Sequence, residues 1–535
     1  METIQLYDTT LRDGTQGENI VFTAEEKVKI AEWLDDLGIH IIEGGWPGSN
    51  PRDMRFFELA RGKAFKHARL AAFGSTRKPG IDPADDINLK ALLESGSPVV
   101  TIVGKSWDLH VEQIIHTALE ENLAMIRETV EYLKQHRLEV VYDAEHFFDG
   151  YRENREYALR SLLAASEGGA DFLVLCDTNG GTLPHELTSI MNEVRERMAG
   201  CVQNPVRYGI HTHNDCGLAV ANSIAAVLSG ATMVQGTING YGERCGNADL
   251  TSIIPILTCK MGMPCVPAEN LKKLTKVSRF ISETANLVPR NDRPFVGKSA
   301  FAHKGGLHVH AIMKAPRAYE HINPEDLGNS RRVLVSDLSG KSNVEYKARE
   351  LGVKLGGNGF DSRKIVSEIK QMEQDGYQFD VADGSLKILL EKFTNQFRPL
   401  FELESFRVMI EKDRDKPCSA DATIKISVDG KEEITAAEGY GPVSALDNAL
   451  RKALDRFYPD LDTMRLVDFK VRVIDGREGT AAKVRVLIES RDQDALWSTI
   501  GVSDDIIEAS WQALADSFQY KLAKEKQIRN HWDLS

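Results

Sequence analysis

Eight short apolar runs recur along the first half of the chain: Ile4–Thr9, Ile39–Glu43, Leu70–Gly74, Val99–Val103, Glu139–Asp143, Phe172–Cys176, Val206–His211 and Met233–Thr237. Each is too short for a helix and nearly continuous in its hydrophobicity, the pattern of strands buried on both faces. Between them lie stretches with the spacing of amphipathic helices. Thr23-Ala24-Glu25-Glu26 opens the first of these as a capping box, and Pro83, Pro184 and glycine-rich turns punctuate later ones. Eight strand–helix repeats within about 260 residues predict a closed (β/α)8 TIM barrel, an α/β fold, over residues 1–270. The competing architecture is an open doubly wound sheet. That fold usually carries a glycine-rich phosphate turn after its first strand. Here the turn reads Leu11-Arg12-Asp13-Gly14-Thr15-Gln16 and is charged.

The repeats stop near residue 270. Residues 271–401 read as helical linker or lid subdomains, containing Asn286-Leu287-Val288-Pro289-Arg290, the histidine-rich stretch Phe301–His310, and the separator Gly356-Gly357-Asn358-Gly359. Beyond them the pattern alternates. Strands are expected at Ser405–Glu411 and Ala422–Val428, then a helix at Ala445–Phe457, strands at Val467–Ile474 and Ala482–Ser490, and a helix at Ile506–Ala523. Two β-rich segments, each followed by a helix, predict a separate α+β domain over residues 402–535.

Composition narrows the function classes. A length of 535 residues exceeds one domain, and 42% hydrophobic residues allow a sizeable core. The formal net charge of -13 argues against a nucleic-acid or anionic-membrane partner, while leaving room for local basic pockets. The cysteines, Cys176, Cys201, Cys216, Cys245, Cys259, Cys265 and Cys418, are odd in number and form no CxxC pair. No disulfide framework is expected, and a reducing cytoplasm suits them. Met1-Glu2-Thr3-Ile4-Gln5-Leu6-Tyr7 runs into a strand without the regions of a signal peptide, and no membrane span is expected.

In a barrel, Arg12, Asp13, Glu43, Glu145, Thr178, His211 and His213 all fall at or just past the C-terminal strand ends, the face where active sites form. His211 and His213 stand at i and i+2, so both imidazoles share one side of a strand. Two such histidines alone read equally well as hydrogen-bonded core residues. An oxygen from Asp13 would complete a mixed site for a hard or borderline divalent ion, Mg²⁺, Mn²⁺ or Zn²⁺, able to polarise a carbonyl.

Asp8-Thr9-Thr10-Leu11-Arg12-Asp13-Gly14, His211-Thr212-His213-Asn214-Asp215 and Gly242-Glu243-Arg244-Cys245-Gly246-Asn247-Ala248 resemble the signatures of the 2-isopropylmalate, homocitrate and citramalate synthase family, one branch of the metal-dependent TIM-barrel superfamily. The resemblance covers essentially the whole chain. It implies an acyltransferase that condenses acetyl-CoA with a 2-oxo acid and then hydrolyses the thioester. It implies Asp13, His211, His213 and Asn247 as metal ligands. Arg12 would bind the substrate and stabilise the developing alkoxide, with Glu43 holding the guanidinium in place. Thr178 resembles the threonine that binds the acceptor carboxylate, and Glu145 the glutamate linked to deprotonation of acetyl-CoA. His308, in Gly305-Gly306-Leu307-His308, aligns with a basic histidine that the family supplies from the neighbouring subunit, and Tyr319 with the tyrosine beside it. The resemblance therefore implies a homodimer. His310 stands where many members have Asp, which leaves the choice among His303, His308, His310 and Glu145 open; hydrogen-bonding roles suit His303 and His310 better. The last domain resembles the family's regulatory dimerisation domain, which binds an end-product amino acid. Gly439, Gly441 and Pro442 match its turn into a helix, whose free backbone N–H groups suit a carboxylate.

Family members differ in the acceptor: pyruvate, 2-oxoisovalerate or 2-oxoglutarate. Gly44-Gly45-Trp46-Pro47-Gly48-Ser49-Asn50-Pro51 resembles the branch that forms citramalate from pyruvate on the route to isoleucine, which makes isoleucine the expected feedback ligand. Trp46 would then fill the volume a branched acceptor needs; the plainer reading packs it under the barrel rim. A homocitrate activity would want an extra cation, and His67, Arg69 and Lys78 lie near the third strand. A metal-dependent acyl-CoA lyase, a carboxyltransferase module and a non-catalytic binding protein are the rival classes. The lyase that cleaves hydroxymethylglutaryl-CoA is shorter, and the carboxyltransferase needs a biotin carrier.

Overall fold

A computed structural model of the chain describes residues 3–201, 206–356, 361–415, 417–474 and 482–532; Met1, Glu2 and, in the expected separator, Gly357, Asn358 and Gly359 lie outside the described residues. The chain forms two compact units, Met1–Phe301 with Ile322–Ser330, and Ala302–His321 with Arg331–Ser535.

The first unit is built on eight parallel strands: β1 (Gln5–Asp8), β2 (Ile41–Gly45), β3 (Arg69–Ser75), β4 (Val99–Lys105), β5 (Glu139–Glu145), β6 (Phe172–Asp177), β7 (Arg207–Thr212) and β8 (Met233–Gly236). They close in sequence order, with β8 pairing back onto β1. All eight apolar runs are strands. Their continuous hydrophobicity has two causes. Inside the barrel, Tyr7, Ile41, Ala71, Val99, Val141, Phe172, Val174 and Met233 pack against one another. Outside, alternate residues such as Leu6, Ile42, Val100 and Leu173 pack against the helices. At the N-terminal end Arg207 lies over the Phe172 ring, 4.0 Å from its centroid.

Helix Ala24–Leu37 begins with the anticipated capping box: Thr23 Oγ1 accepts from Glu26 N–H, and the Glu26 side chain accepts from Thr23 N–H. At the end of β2 two glycines allow close packing. A Cβ on Gly44 would sit 2.1 Å from the Phe56 ring, and one on Gly45 (φ +148°) 2.3 Å from Asp53. Helix Pro51–Ala60 can therefore press against the strand end and set the loop that carries Trp46.

In the second unit a two-stranded ladder, β9 (Ala302–His303) with β10 (Arg332–Val333), lies beside helix Gly306–Lys314. Helices Lys341–Glu350, Ser362–Gln374 and Asp383–Phe393 share a core of Val344, Ile365, Ile369, Phe379, Leu386 and Leu390. Two antiparallel sheets follow: β11 (Glu402–Glu411), β12 (Ser419–Val428) and β13 (Lys431–Gly439), then β14 (Arg465–Val473), β15 (Val484–Arg491) and β16 (Leu496–Ser503). Helices Pro442–Leu454 and Ile506–Trp532 cover them, burying Ile424, Ile426, Leu446, Leu450, Ile488 and Phe518.

Each sheet thus has one strand more than the sequence pattern suggested. β13 reads Lys-Glu-Glu-Ile-Thr-Ala-Ala-Glu-Gly, and its Ile434 is exposed, so no apolar alternation marks it. The missed signal was the turn before it. Asp429 and Gly430 both have positive φ, 48° and 76°, the Asp-Gly pairing that two-residue hairpins favour. β16 breaks its apolar letters with the pair Ser498-Thr499 between Trp497 and Ile500, and follows β15 after another short turn.

Candidate metal centre

The C-terminal strand ends of the barrel surround a cavity of about 420 Å³. It is lined by Arg12, Asp13, Trp46, Glu145, Thr178, His211 and His213, and also by Phe73, Lys105 and Asp143. Residues more than 200 positions apart in sequence, such as Arg12 and His213, meet there because parallel strands deliver their ends to one face.

His211 is the penultimate residue of β7 and His213 follows the strand's end, joined to Asn247 by an isolated antiparallel bridge. Their Nε2 atoms lie 3.3 Å apart. Asp13 Oδ2 is 3.3 Å from His211 Nε2 and 3.9 Å from His213 Nε2. The three ligand atoms fall within 4.8 Å of one another, and all three residues are buried. Burial alone would raise the Asp13 carboxyl, but Arg12 and the two imidazoles outweigh it and hold Asp13 well below the ordinary carboxylate range. Burial and the neighbouring His211 push His213 down to about 4, so that ring is neutral and has a lone pair to offer.

Whether these residues fit a divalent ion can be tested on atoms left without partners. Asn247 Nδ2 donates to Tyr241 O at 3.1 Å, while its Oδ1 is buried with no hydrogen-bond partner among the described residues. A buried acceptor left bare is costly in a protein interior, and a hard cation satisfies it. One carboxylate, two imidazoles and an amide oxygen form a donor set suited to Mg²⁺, Mn²⁺ or Zn²⁺. The residues fit.

Beside this cluster, Arg12 Nε donates to Glu43 Oε1 at 2.6 Å, and the guanidinium carbon lies 3.8 Å from the centroid of the Phe73 ring. Glu43 is wholly buried and also accepts from the Tyr7 hydroxyl at 2.7 Å. The pair fixes the direction of a cation that is never neutral. Glu145, at the end of β5, faces Lys105 at the paired position on β4, and the two form a salt bridge. Thr178 Oγ1 accepts from the backbone N–H of His146 at 2.9 Å. Its hydroxyl proton therefore remains free to donate. Trp46 donates through its indole N–H to Asn88 Oδ1 at 2.6 Å and meets Phe73 edge-on. Its backbone N–H is held by Asp53, whose other oxygen takes the buried Lys27 ammonium at 2.6 Å.

The remaining expected residues belong to the second unit. His308 lies on helix Gly306–Lys314 and stacks on Tyr319 with ring centroids 4.3 Å apart. His303 Nε2 lies 3.2 Å from Glu320 Oε1, and His310 Nδ1 lies 3.2 Å from Ser342 Oγ. Gly439 ends β13, Gly441 is the N-cap of helix Pro442–Leu454, and Pro442 takes its first position.

Sequence reasoning missed Lys105, the partner of Glu145, and two buried polar residues of the cavity region. Asp143 shares a strand face with Glu145 two residues on, and burial pushes its carboxyl up to about 7. Gln235 is a fully buried amide within the apolar run of β8. An isolated polar letter inside such a run was the available signal.

Comparison with known proteins agrees with this arrangement. The HMGL-like family model matches residues 3–281, the homocitrate synthase post-HMGL domain-like model residues 295–377, and the LeuA allosteric (dimerisation) domain residues 380–522. The chain is 53% identical over 528 residues to an (R)-citramalate synthase of Aquifex aeolicus, covering 98% of this chain and 99% of that one. It is 52% identical to another from Geobacter sulfurreducens, over 99% of both chains. Identity to a 2-isopropylmalate synthase of Methanocaldococcus jannaschii is 31%, over 98% of this chain and 95% of the other.

Proposed function

The chain belongs to the (R)-citramalate synthase family of HMGL-like barrels, and we propose that it condenses acetyl-CoA with pyruvate and hydrolyses the thioester, giving (R)-citramalate and free CoA. A C–H bond of the acetyl methyl breaks, a C–C bond forms to the keto carbon, and the keto oxygen takes up a proton. Water then cleaves the C–S bond and the CoA thiol leaves.

Asp13, His211, His213 and Asn247 would hold the divalent ion, which supplies Lewis-acid polarisation of the acceptor carbonyl. Arg12, aimed by Glu43, donates to the keto oxygen as charge grows on it, an interaction that strengthens toward the transition state. Thr178 donates its free hydroxyl proton to the acceptor carboxylate. Trp46 and Phe73 form an aromatic wall that leaves room for the methyl of pyruvate. Glu145, tied to Lys105, orients the thioester. His308 of a second copy, with Tyr319 stacked on it, takes the methyl proton; an imidazole has the right basicity near neutral pH. The dimerisation-domain match supports a homodimer with feedback control, and isoleucine at the turn of Gly439, Gly441 and Pro442 is the ligand we assign to it. The cytoplasm is the compartment we assign; the seven cysteines are unpaired, and among the described residues no helix is long and apolar enough to cross a membrane.

The observation that carries the reading is the convergence of Asp13, His211 and His213 beside the Arg12–Glu43 pair in one cavity. The test is thiol release from acetyl-CoA with pyruvate, 2-oxoisovalerate or 2-oxoglutarate, with and without chelator. Chelator-sensitive release with pyruvate, and citramalate as product, is expected. Release with another acceptor alone would reassign the substrate, and cleavage of an acyl-CoA without an acceptor would mark a lyase.

A further inference from the structure

We propose that Asp143, acting through Gln235, fixes the ring state in which His211 meets a divalent ion. His211 and Gln235 are paired positions on β7 and β8, and Gln235 Oε1 lies 2.8 Å from His211 Nδ1. From β5, on the other side of the barrel interior, Asp143 Oδ1 accepts from Gln235 Nε2 at 2.8 Å. All three residues are buried, and Gln235 wholly so.

The polarity of this chain runs one way. An ionised carboxylate only accepts hydrogen bonds. The placement of the atoms sets that direction here: Asp143 Oδ1 faces Gln235 Nε2 at 2.8 Å and accepts from it. Facing Asp143, the amide of Gln235 presents its NH₂ group, and its oxygen turns to His211. That oxygen also only accepts, so the imidazole proton sits on Nδ1. The lone pair is then left on Nε2, the atom 3.3 Å from both Asp13 Oδ2 and His213 Nε2. Without Asp143 the amide is free to turn over and donate to Nδ1. The ring proton would then move to Nε2, where an ion needs the lone pair. His213 has no such partner among the described residues, where its Nδ1 is buried without a hydrogen bond. Directional control is thus concentrated on one of the two imidazoles. Partners of this kind typically change metal affinity by about 10–100-fold.

The assignment rests on the metal reading of Asp13, His211 and His213, and the experiment separates the two. Metal-free full-length protein is titrated with Mn²⁺ by calorimetry at pH 8, as wild type, Asp143→Asn, Gln235→Met and the double variant Asp143→Asn/Gln235→Glu. Histidine ¹⁵N shifts report which ring nitrogen carries the proton. Asp143→Asn is expected to weaken Mn²⁺ binding by about 10–100-fold and to populate the Nε2–H form of His211. Gln235→Met is expected to weaken binding similarly, and answers the question should Asp143→Asn not fold. The double variant is expected to recover most of the affinity, because a carboxylate at 235 accepts from both His211 and the amide at 143. Wild-type affinity in both single variants with His211 still protonated on Nδ1, or no recovery in the double variant, would overturn the relay. A wild type that binds no Mn²⁺ would instead overturn the metal reading.

Discussion

The barrel mouth and the stretch Ala302–Tyr319 both carry several histidines, and they use them in opposite ways. In the barrel, His211 and His213 are buried at 6% exposure each, their Nε2 atoms converge, and a carboxylate and an Arg–Glu pair complete the cluster within the same unit. In the other stretch the buried ring, His303, spends its Nε2 on Glu320, which Arg331 also holds. His308 is exposed and stacks on an exposed Tyr319. Partners as well as burial therefore separate these imidazoles. Those at the barrel strand ends are oriented in advance, in a low-dielectric site where each electrostatic contact counts for more. In the proposed function, His308 on the exposed helix keeps its chemistry for a group brought from elsewhere.

The sharpest way to break this contrast is to remove the buried side of it. His211→Ala, or chelation, should lower citramalate formation by at least about 10⁴-fold, since a Lewis acid supplies several kcal/mol. Steady-state kinetics with Mn²⁺ restored would check it; chelation should be reversible and the substitution not. Next comes the exposed side. His308→Ala should lower kcat by about 10²–10³-fold, the typical share of a general base, while leaving Mn²⁺ affinity unchanged by calorimetry. Refolding the two inactive variants together should restore roughly a quarter of wild-type activity if the exposed ring serves a neighbouring copy, because half the dimers would then hold one intact site of two. No recovery would confine each site to one chain.

A smaller change tests how the mouth is held. Asp53→Ala leaves the buried Lys27 ammonium unpaired and should cost about 3–5 kcal/mol in chemical denaturation. Smallest is Trp46→Ala. It should shift the kcat/KM ratio toward 2-oxoisovalerate over pyruvate by about 10–100-fold, without loss of metal binding. An unchanged ratio would return Trp46 to the role of rim packing.

Much of this was legible in the sequence, for a physical reason. Barrel strands are buried on both faces, so they stand out as apolar runs, and polar letters such as Thr178 and His213 directly after them, and Asp13 in the turn after β1, fall where parallel strands end. The Asp143–Gln235 link was not legible. It joins β5 to β8 across the barrel interior, and nothing local distinguishes a Gln that bonds a ligand from one that closes a strand. β13 escaped because half its surface faces water and its charged letters hide the alternation. The roles of His308 and Tyr319 came from family likeness alone, since an exposed helix has no local signature for what it will meet.

The loop holding Trp46 is anchored by its own interior ion pair, Lys27 with Asp53, and by a glycine pair that admits helix Pro51–Ala60. None of those anchors is a proposed metal ligand. On the proposed role of Trp46, acceptor choice is thereby mounted as an interchangeable fitting on a fixed engine. A lineage could then trade one 2-oxo acid for another by editing a few positions after β2, while the inherited reaction chemistry passed through unaltered.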